Sequence, residues 1–338
     1  MSSRKVFNFS VISQQRSVLM GIATLLVVIF HSVDLSTKFL PLNILKGLLN
    51  FIKTNGEVGV DIFLLLSGFG LYYSLEKDKS LKRFYKKRFL RVVPSIFIVA
   101  ILYNALIPHN SGSLAFFCNI TFVAFFINGS RTFWYFSLLL LLYFVYPFIH
   151  RIIRRYKYKG FALLVLIALS LNIVGYFLFH DYYMLVEIAL TRIPIFITGA
   201  LLGCLAKNCI RCSLLKTIFI SVLLFLICFF LLYYFKSFFI SHILYKRGIE
   251  SIFSIAITIL LSWIFSLLKV GLIRRLLVFV GIYSMEIYLL YERVIFFSYG
   301  KILLDCNNVC YYFAAFVFTL VLAIILKMVT DMIIKRTE

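Results

Sequence analysis

Eleven stretches of this chain are apolar over most or all of a membrane-crossing length, and nothing constrains its fold more. They lie near residues 17–36, 57–76, 92–108, 113–128, 132–149, 160–179, 182–205, 217–235, 249–268, 276–297 and 309–330. A helix rises about 1.5 Å per residue and a bilayer's hydrocarbon core is about 30 Å thick, so about twenty residues make one crossing. Of the 338 residues, 63% are hydrophobic and 14% charged, whereas a soluble domain holds roughly 45–50% and about 25%. That apolar excess needs lipid to cover it. Barrel strands would show about ten residues of alternation instead of continuous runs. The expected fold is an all-α polytopic membrane protein.

Charge sets the expected topology. A formal net charge of +22 would point to nucleic acid in a soluble protein. Here the basic residues cluster in short loops between apolar runs, as cytoplasmic loops do, and no nucleic-acid partner is expected. Residues 77–91 hold eight Lys and Arg, and residues 151–159 hold five. Both loops are placed in the cytoplasm, which requires an even number of crossings between them. Three apolar segments lie there, so the shortest, 113–128, is read as re-entrant or surface-lying. Ten transmembrane helices remain, with both termini cytoplasmic. On that reading twenty-five Lys and Arg lie inside and eight outside. The first run has no small-residue cleavage site behind it and is expected to stay as a span. With no internal repeat, linker or appended soluble domain, residues 1–338 read as one integral-membrane domain.

The seven cysteines are mostly small hydrophobes within apolar runs. Cys209 and Cys212 lack the second pair that a zinc site needs, so no metal is expected. Cys306 and Cys310 share a loop assigned to the outside, where a disulfide is open to them.

Ionisable residues inside spans cost about 2.5–3.5 kcal/mol each on insertion scales and are functional candidates by default. Asp61, Glu187, Arg192, Glu286 and Arg293 qualify. Glu292 and Arg293 sit near the outer end of their helix, where snorkelling to headgroups explains them. Glu187 and Arg192 are five apart, off a shared helix face, and are expected to find partners on other helices. His31 ends the first apolar run, with Asp34 behind it, and composition alone leaves it either interfacial or chemical. Arg88 and Arg91 share a helix face at the entrance to a span. Guanidinium forks there suit a phosphorylated ligand arriving from the cytoplasm.

Six segments carry a family resemblance. "MGIATLLVVIFHS" (20–32), "GEVGVDIFLLLSGFGLYYSL" (56–75), "FYKKRFLRVVPS" (84–95), "FWYFSLLLLLYFVYP" (133–147), "RIPIFITGALLG" (192–203) and "GIYSMEIYLLYE" (281–292) occur in the order seen in the acyltransferase 3 family. The resemblance covers nearly the whole chain. It implies an integral plasma (inner) membrane enzyme that moves an acyl group, most often acetyl, from cytoplasmic acyl-CoA to an acceptor. Common acceptors are sugar hydroxyls of surface polysaccharides. It implies His31 as the catalytic residue, Arg88 and Arg91 as the Arg-x-x-Arg that faces acyl-CoA, Asp61 as the Asp of "GVDIF" and Arg192 as the span-buried Arg. Two positions depart from the pattern. Met20 stands where the family usually has Arg or Lys, with Arg16 one turn earlier on the same face. Tyr291 stands where a second His is frequent.

The chemistry so implied needs a base, oxyanion donors and exclusion of water. His31 suits the base, with Asp61 preferred over Asp34 as the group that orients its ring, or it suits a nucleophile forming an acyl-histidine. Arg192 is the candidate for charge stabilisation. Arg88 and Arg91, with Arg16 beside them, are expected to hold the CoA phosphates. The expected partners are acyl-CoA, a carbohydrate acceptor and membrane lipid. The rival reading, a flippase or transporter for a lipid-linked sugar, would more often show an internal repeat. An inert membrane scaffold would tolerate loss of His31.

Overall fold

The computed structural model describes residues 6–32, 42–106, 118, 123–235, 238, 242–268, 271–302 and 308–337. Asp34, Cys306 and most of the 113–128 segment lie outside the described residues. The elements begin with strand β1 (Val6–Asn8), α1 (Ser10–Gln14), α2 (Arg16–His31), α3 (Asn43–Asn55), α4 (Val58–Lys77), α5 (Leu81–Leu106) and α6 (Ala124–Asn128). A 3-10 turn (Arg131–Phe133) leads into α7 (Trp134–Leu178). Then come α8 (His180–Leu190), α9 (Ile193–Lys207), strand β2 (Arg211–Ser213), α10 (Leu214–Tyr234), α11 (Ile243–Leu267), α12 (Gly271–Ile282), α13 (Ser284–Ile302) and α14 (Asn308–Thr337).

Six helical stretches among the described residues are long and apolar enough to cross a membrane, and α2 is a shorter apolar helix. The fold is therefore all-α and multi-pass in kind. Two of the expected single spans are broken. The 182–205 run stops at Thr191 and restarts as α9 with Pro194 in its first turn, where a missing N–H costs nothing. The 276–297 run breaks at Tyr283 into α12 and α13. Conversely, the expected spans 132–149 and 160–179 are joined within α7 through Lys157, whose φ is 47°. A Cβ on Gly160 would lie 2.8 Å from the Ile152 carbonyl oxygen. Residues eight apart in a straight helix are about 12 Å apart, so the chain bends sharply at Lys157. The amphipathic α3 was not expected at all: NILKGLLNFIKTN falls in a stretch read as an outer loop.

The bundle is knitted by backbone-to-backbone contacts. α9 lies against α4 in the most extensive helix–helix contact, and α12 against α2 in the next. Glycine permits both. A Cβ on Gly199 would collide with the Leu65 carbonyl, and one on Gly281 with that of Ser17. In lipid there is no hydrophobic drive between helices, so such close approach is what holds them. The core includes Leu64, Leu65 and Phe69 of α4 with Phe196 and Ala200 of α9, all nearly inaccessible. α10 presents Phe219, Leu223, Leu226 and Phe230 outward, the face lipid must cover. β1 pairs antiparallel with β2 in the register Val6↔Ser213. This places the start of the chain beside the loop after α9, both at the end the charge pattern assigns to the cytoplasm.

Candidate active site

α2 carries a different polar group at each end. Arg16 opens the helix and His31 closes it, about 22 Å apart at 1.5 Å per residue. The geometry of both ends follows from what packs there.

At the first end three arginines converge. Arg16 lies within electrostatic reach of Arg88 and Arg91. Its guanidinium lies flat on Gly70, where a Cβ would be 3.1 Å from Cζ. Arg88 donates from Nη2 to Ser74 Oγ at 2.7 Å and sits 5.9 Å from the Phe84 ring centre. None of the three forms an ion pair among the described residues, and the Nε groups of Arg16 and Arg88 are buried without a hydrogen-bond partner there. Like charges gathered without a counter-ion form a site prepared for an anion, and guanidinium forks fit phosphate. Arg16 thus reaches the cluster from one turn before Met20, as its long side chain allows.

At the other end His31 lines a niche of about 10 Å³ with Thr24, Val28, Tyr288, Tyr291 and Glu292. That is room for about one water. His31 has no hydrogen bond or ion pair among the described residues; its ring meets Phe30 edge-on at 5.3 Å. Tyr291, at the position where the family frequently has His, bonds Ser32 Oγ through its hydroxyl at 2.8 Å. Ser32 Oγ in turn donates to the Val28 carbonyl at 2.8 Å. That pair ties α13 to the last turn of α2 and fixes the backbone that carries His31.

A tyrosine wall connects the two ends. Tyr143 faces Arg16, Arg88 and Arg91. Tyr135, two turns back along α7, neighbours Tyr143, Arg16 and Ser67. Its ring is 5.0 Å from that of Tyr288, which lines the His31 niche. Tyr135 and Tyr143 are buried and Tyr288 is half-buried, and the three lead step by step from the arginines to the histidine.

Asp61 is not the orienting partner of His31. Its Oδ1 sits 3.0 Å from Arg192 Nε, both side chains 1% exposed. Arg192 is held further by Glu57 Oε2 at 3.0 Å and by the Ile188 carbonyl, to which Nη1 donates at 2.9 Å. Its Cζ lies 5.2 Å from the centre of the Trp134 ring. With these partners Arg192 is part of a buried ion-pair network. The reason is burial: a charge removed from water must be paired, and both partners are drawn into the pair.

The pair belongs to a larger network that the sequence did not reveal. Glu57 also bonds Arg247, and Lys246 Nζ at 2.5 Å. Glu250, fully buried, accepts from Arg247 Nη1 at 3.0 Å and forms an ion pair with Lys246 Nζ at 3.3 Å. Glu187 meets Arg131 at 3.7 Å and Arg247 at 4.0 Å. Four carboxylates therefore face four cations. Lys246 and Arg247 fall between the apolar runs 217–235 and 249–268, in a loop the charge pattern places outside. Their spacing of four and three to Glu250 was the available signal, since those intervals meet on one helix face. Glu187 and Arg192 do find partners on other elements. Arg293 does not snorkel: it bonds the Leu289 carbonyl at 2.6 Å and the Thr132 carbonyl, and lies 4.3 Å from the Phe133 ring centre.

No curated protein and no solved structure matches the chain. A family model described as an acyltransferase domain matches residues 18–328, a span that holds α2 from its third residue on, with His31, Arg88 and Arg91, the tyrosine wall and the charge network. The chain belongs to the acyltransferase 3 family.

Proposed function

We propose that this protein is a membrane O-acyltransferase that takes an acyl group, acetyl by preference, from cytoplasmic acyl-CoA to a sugar hydroxyl. The acceptor is a surface polysaccharide or its lipid-linked precursor, and the membrane is the plasma membrane. The chain crosses it ten times, with both termini cytoplasmic. One observation carries the reading. Uncompensated arginines sit at one end of α2 and an unpaired imidazole at the other, with a polar aromatic wall between them. A donor that is anionic at one end and reactive at the other needs that separation.

In this reading Arg16, Arg88 and Arg91 bind the CoA phosphates, and the pantetheine arm follows Tyr143 and Tyr135 toward Tyr288. A ring nitrogen of His31 takes the proton from the acceptor hydroxyl as its oxygen attacks the thioester carbonyl. Collapse of the tetrahedral intermediate breaks the carbon–sulfur bond, and the CoA thiolate recovers that proton. Attack by His31 itself, through an acyl-histidine, gives the same products in two steps. Asp61 and Arg192 are positioning residues here, holding α4 against the α8–α9 break.

The test follows acetyl from radiolabelled acetyl-CoA into polysaccharide, using membranes with matched amounts of each variant. His31→Ala is expected to lower turnover by about 10²–10⁴-fold, the usual contribution of a general base. Arg88→Ala with Arg91→Ala is expected to raise the KM for acetyl-CoA more than it lowers kcat. Wild-type turnover by His31→Ala would overturn the mechanism.

A further inference from the structure

A second basic site lies where α4 ends, α5 begins and α7 passes both. A cavity of about 500 Å³ opens there. Leu75, Leu81 and Pro147 give it apolar walls, and Lys79, Arg151, Arg154 and Arg155 give it charge. Arg16, Arg88 and Arg91 do not line it.

A basic loop alone is accounted for by membrane topology. The wall of this cavity contains more than that. His150 is 8% exposed, and its Nε2 lies 3.0 Å from Glu76 Oε1. Arg154 Nε lies 3.2 Å from the same oxygen. The ring of Tyr72 backs His150 at 4.8 Å. Glu76 therefore fixes the Arg154 guanidinium and the His150 imidazole in the wall, at the cost of burying polar atoms. Lys79, Arg151 and Arg155 form no ion pair among the described residues, so the lining holds more positive charge than Glu76 can balance. Beside the cavity, Phe144 and Phe148 are 67% and 56% exposed on the face that meets lipid. Tyr85 stands against Phe144, ring centres 6.3 Å apart, and its hydroxyl donates to the Phe144 carbonyl at 2.9 Å.

We infer that this cavity binds a phosphate group, and that the phosphate is the headgroup of an anionic phospholipid. Arginine forks suit phosphate oxygens. Leu75, Leu81 and Pro147 suit the glycerol and the first methylenes, and Phe144 and Phe148 lead from the cavity to the acyl region. Basic pockets between helices at a cytoplasmic face take anionic headgroups for the same reasons. The inference does not depend on acyl transfer and survives if that reading fails.

The test is native mass spectrometry of the purified full chain, titrated with phosphatidylglycerol or phosphatidylcholine. The wild type is expected to retain phosphatidylglycerol at about tenfold lower concentration than phosphatidylcholine, the scale set by two arginines near a headgroup. R151Q/R155Q is expected to lose most of that preference. R151K/R155K, which keeps the charge, is expected to retain much of it and guards against a folding defect. Inorganic pyrophosphate and adenosine 3′,5′-bisphosphate identify the source of the phosphate. If either displaces the lipid from the wild type at sub-millimolar concentration, the cavity is a soluble-phosphate site and the lipid assignment falls. Unchanged preference in R151Q/R155Q would overturn the site itself.

Discussion

At the scale of single residues, the informative contrast is between charges that have partners and charges that lack them. Arg192 is nearly inaccessible and held by Asp61, Glu57 and the Ile188 carbonyl. Breaking a buried pair by removing one partner costs about 3–5 kcal/mol, because the other charge is left stranded. Arg192→Met is therefore expected to destabilise the fold by about that amount, measured by tryptophan fluorescence during denaturant unfolding in detergent. Arg88→Met removes a guanidinium with no carboxylate partner and is expected to change stability by under about 1 kcal/mol. The sequence revealed part of this contrast. Asp61, Glu187 and Arg192 stand out because they interrupt apolar runs. Glu57, Lys246, Arg247 and Glu250 do not, because they sit at helix ends where solvent explains a charge equally well. Only the folded arrangement brings the first turn of α4 against the first turns of α11, burying Glu57, Arg247 and Glu250 with Lys246 half-buried beside them.

At the scale of elements, helix existence followed from apolar length, and helix interruption did not. Pro194 marks the restart of α9, but nothing local predicts the stop at Tyr283 or the bend at Lys157. Both are settled by neighbours: Gly281, two residues before Tyr283, seats its backbone on that of α2, and Gly160 seats against Ile152. α3 escaped notice because Lys46, Lys53 and three asparagines hold its mean hydropathy below the level of a span. Backbone contact is a testable cause of helix pairing. Gly199→Ala drives a methyl into the Leu65 carbonyl and is expected to cost about 1–3 kcal/mol, as overpacking does. Gly248→Ala, within α11, has nothing within 4 Å. It is expected to stabilise by up to about 1 kcal/mol through helix propensity alone. Thermal unfolding of the two single variants, side by side in one detergent, separates steric from propensity effects.

At the scale of the whole molecule, the arrangement is two-ended. Arginines gather at the end that carries the β1–β2 pair, and the paired charges and His31 gather at the other. The loop-charge count assigns the arginine end to the cytoplasm and the His31 end to the outside. The expected topology makes a direct prediction. In a chain without native cysteines, Lys79→Cys and Lys157→Cys should react with an impermeant maleimide only in inside-out vesicles. Thr54→Cys should react only in right-side-out vesicles. Labelling of Lys157→Cys from the opposite side to Lys79→Cys would break the assignment of an even number of crossings between them.

The β1–β2 pair also bears on how the protein is made. Val6–Asn8 leaves the ribosome about two hundred residues ahead of its partner Arg211–Ser213. At about 5–20 residues per second, translation takes roughly 10–40 s to deliver it. Through that interval the nascent chain has threaded α2 to α9 toward the bilayer with its leading strand unpaired. The ribbon therefore closes late, as a clasp on helices already inserted, and it cannot guide their insertion.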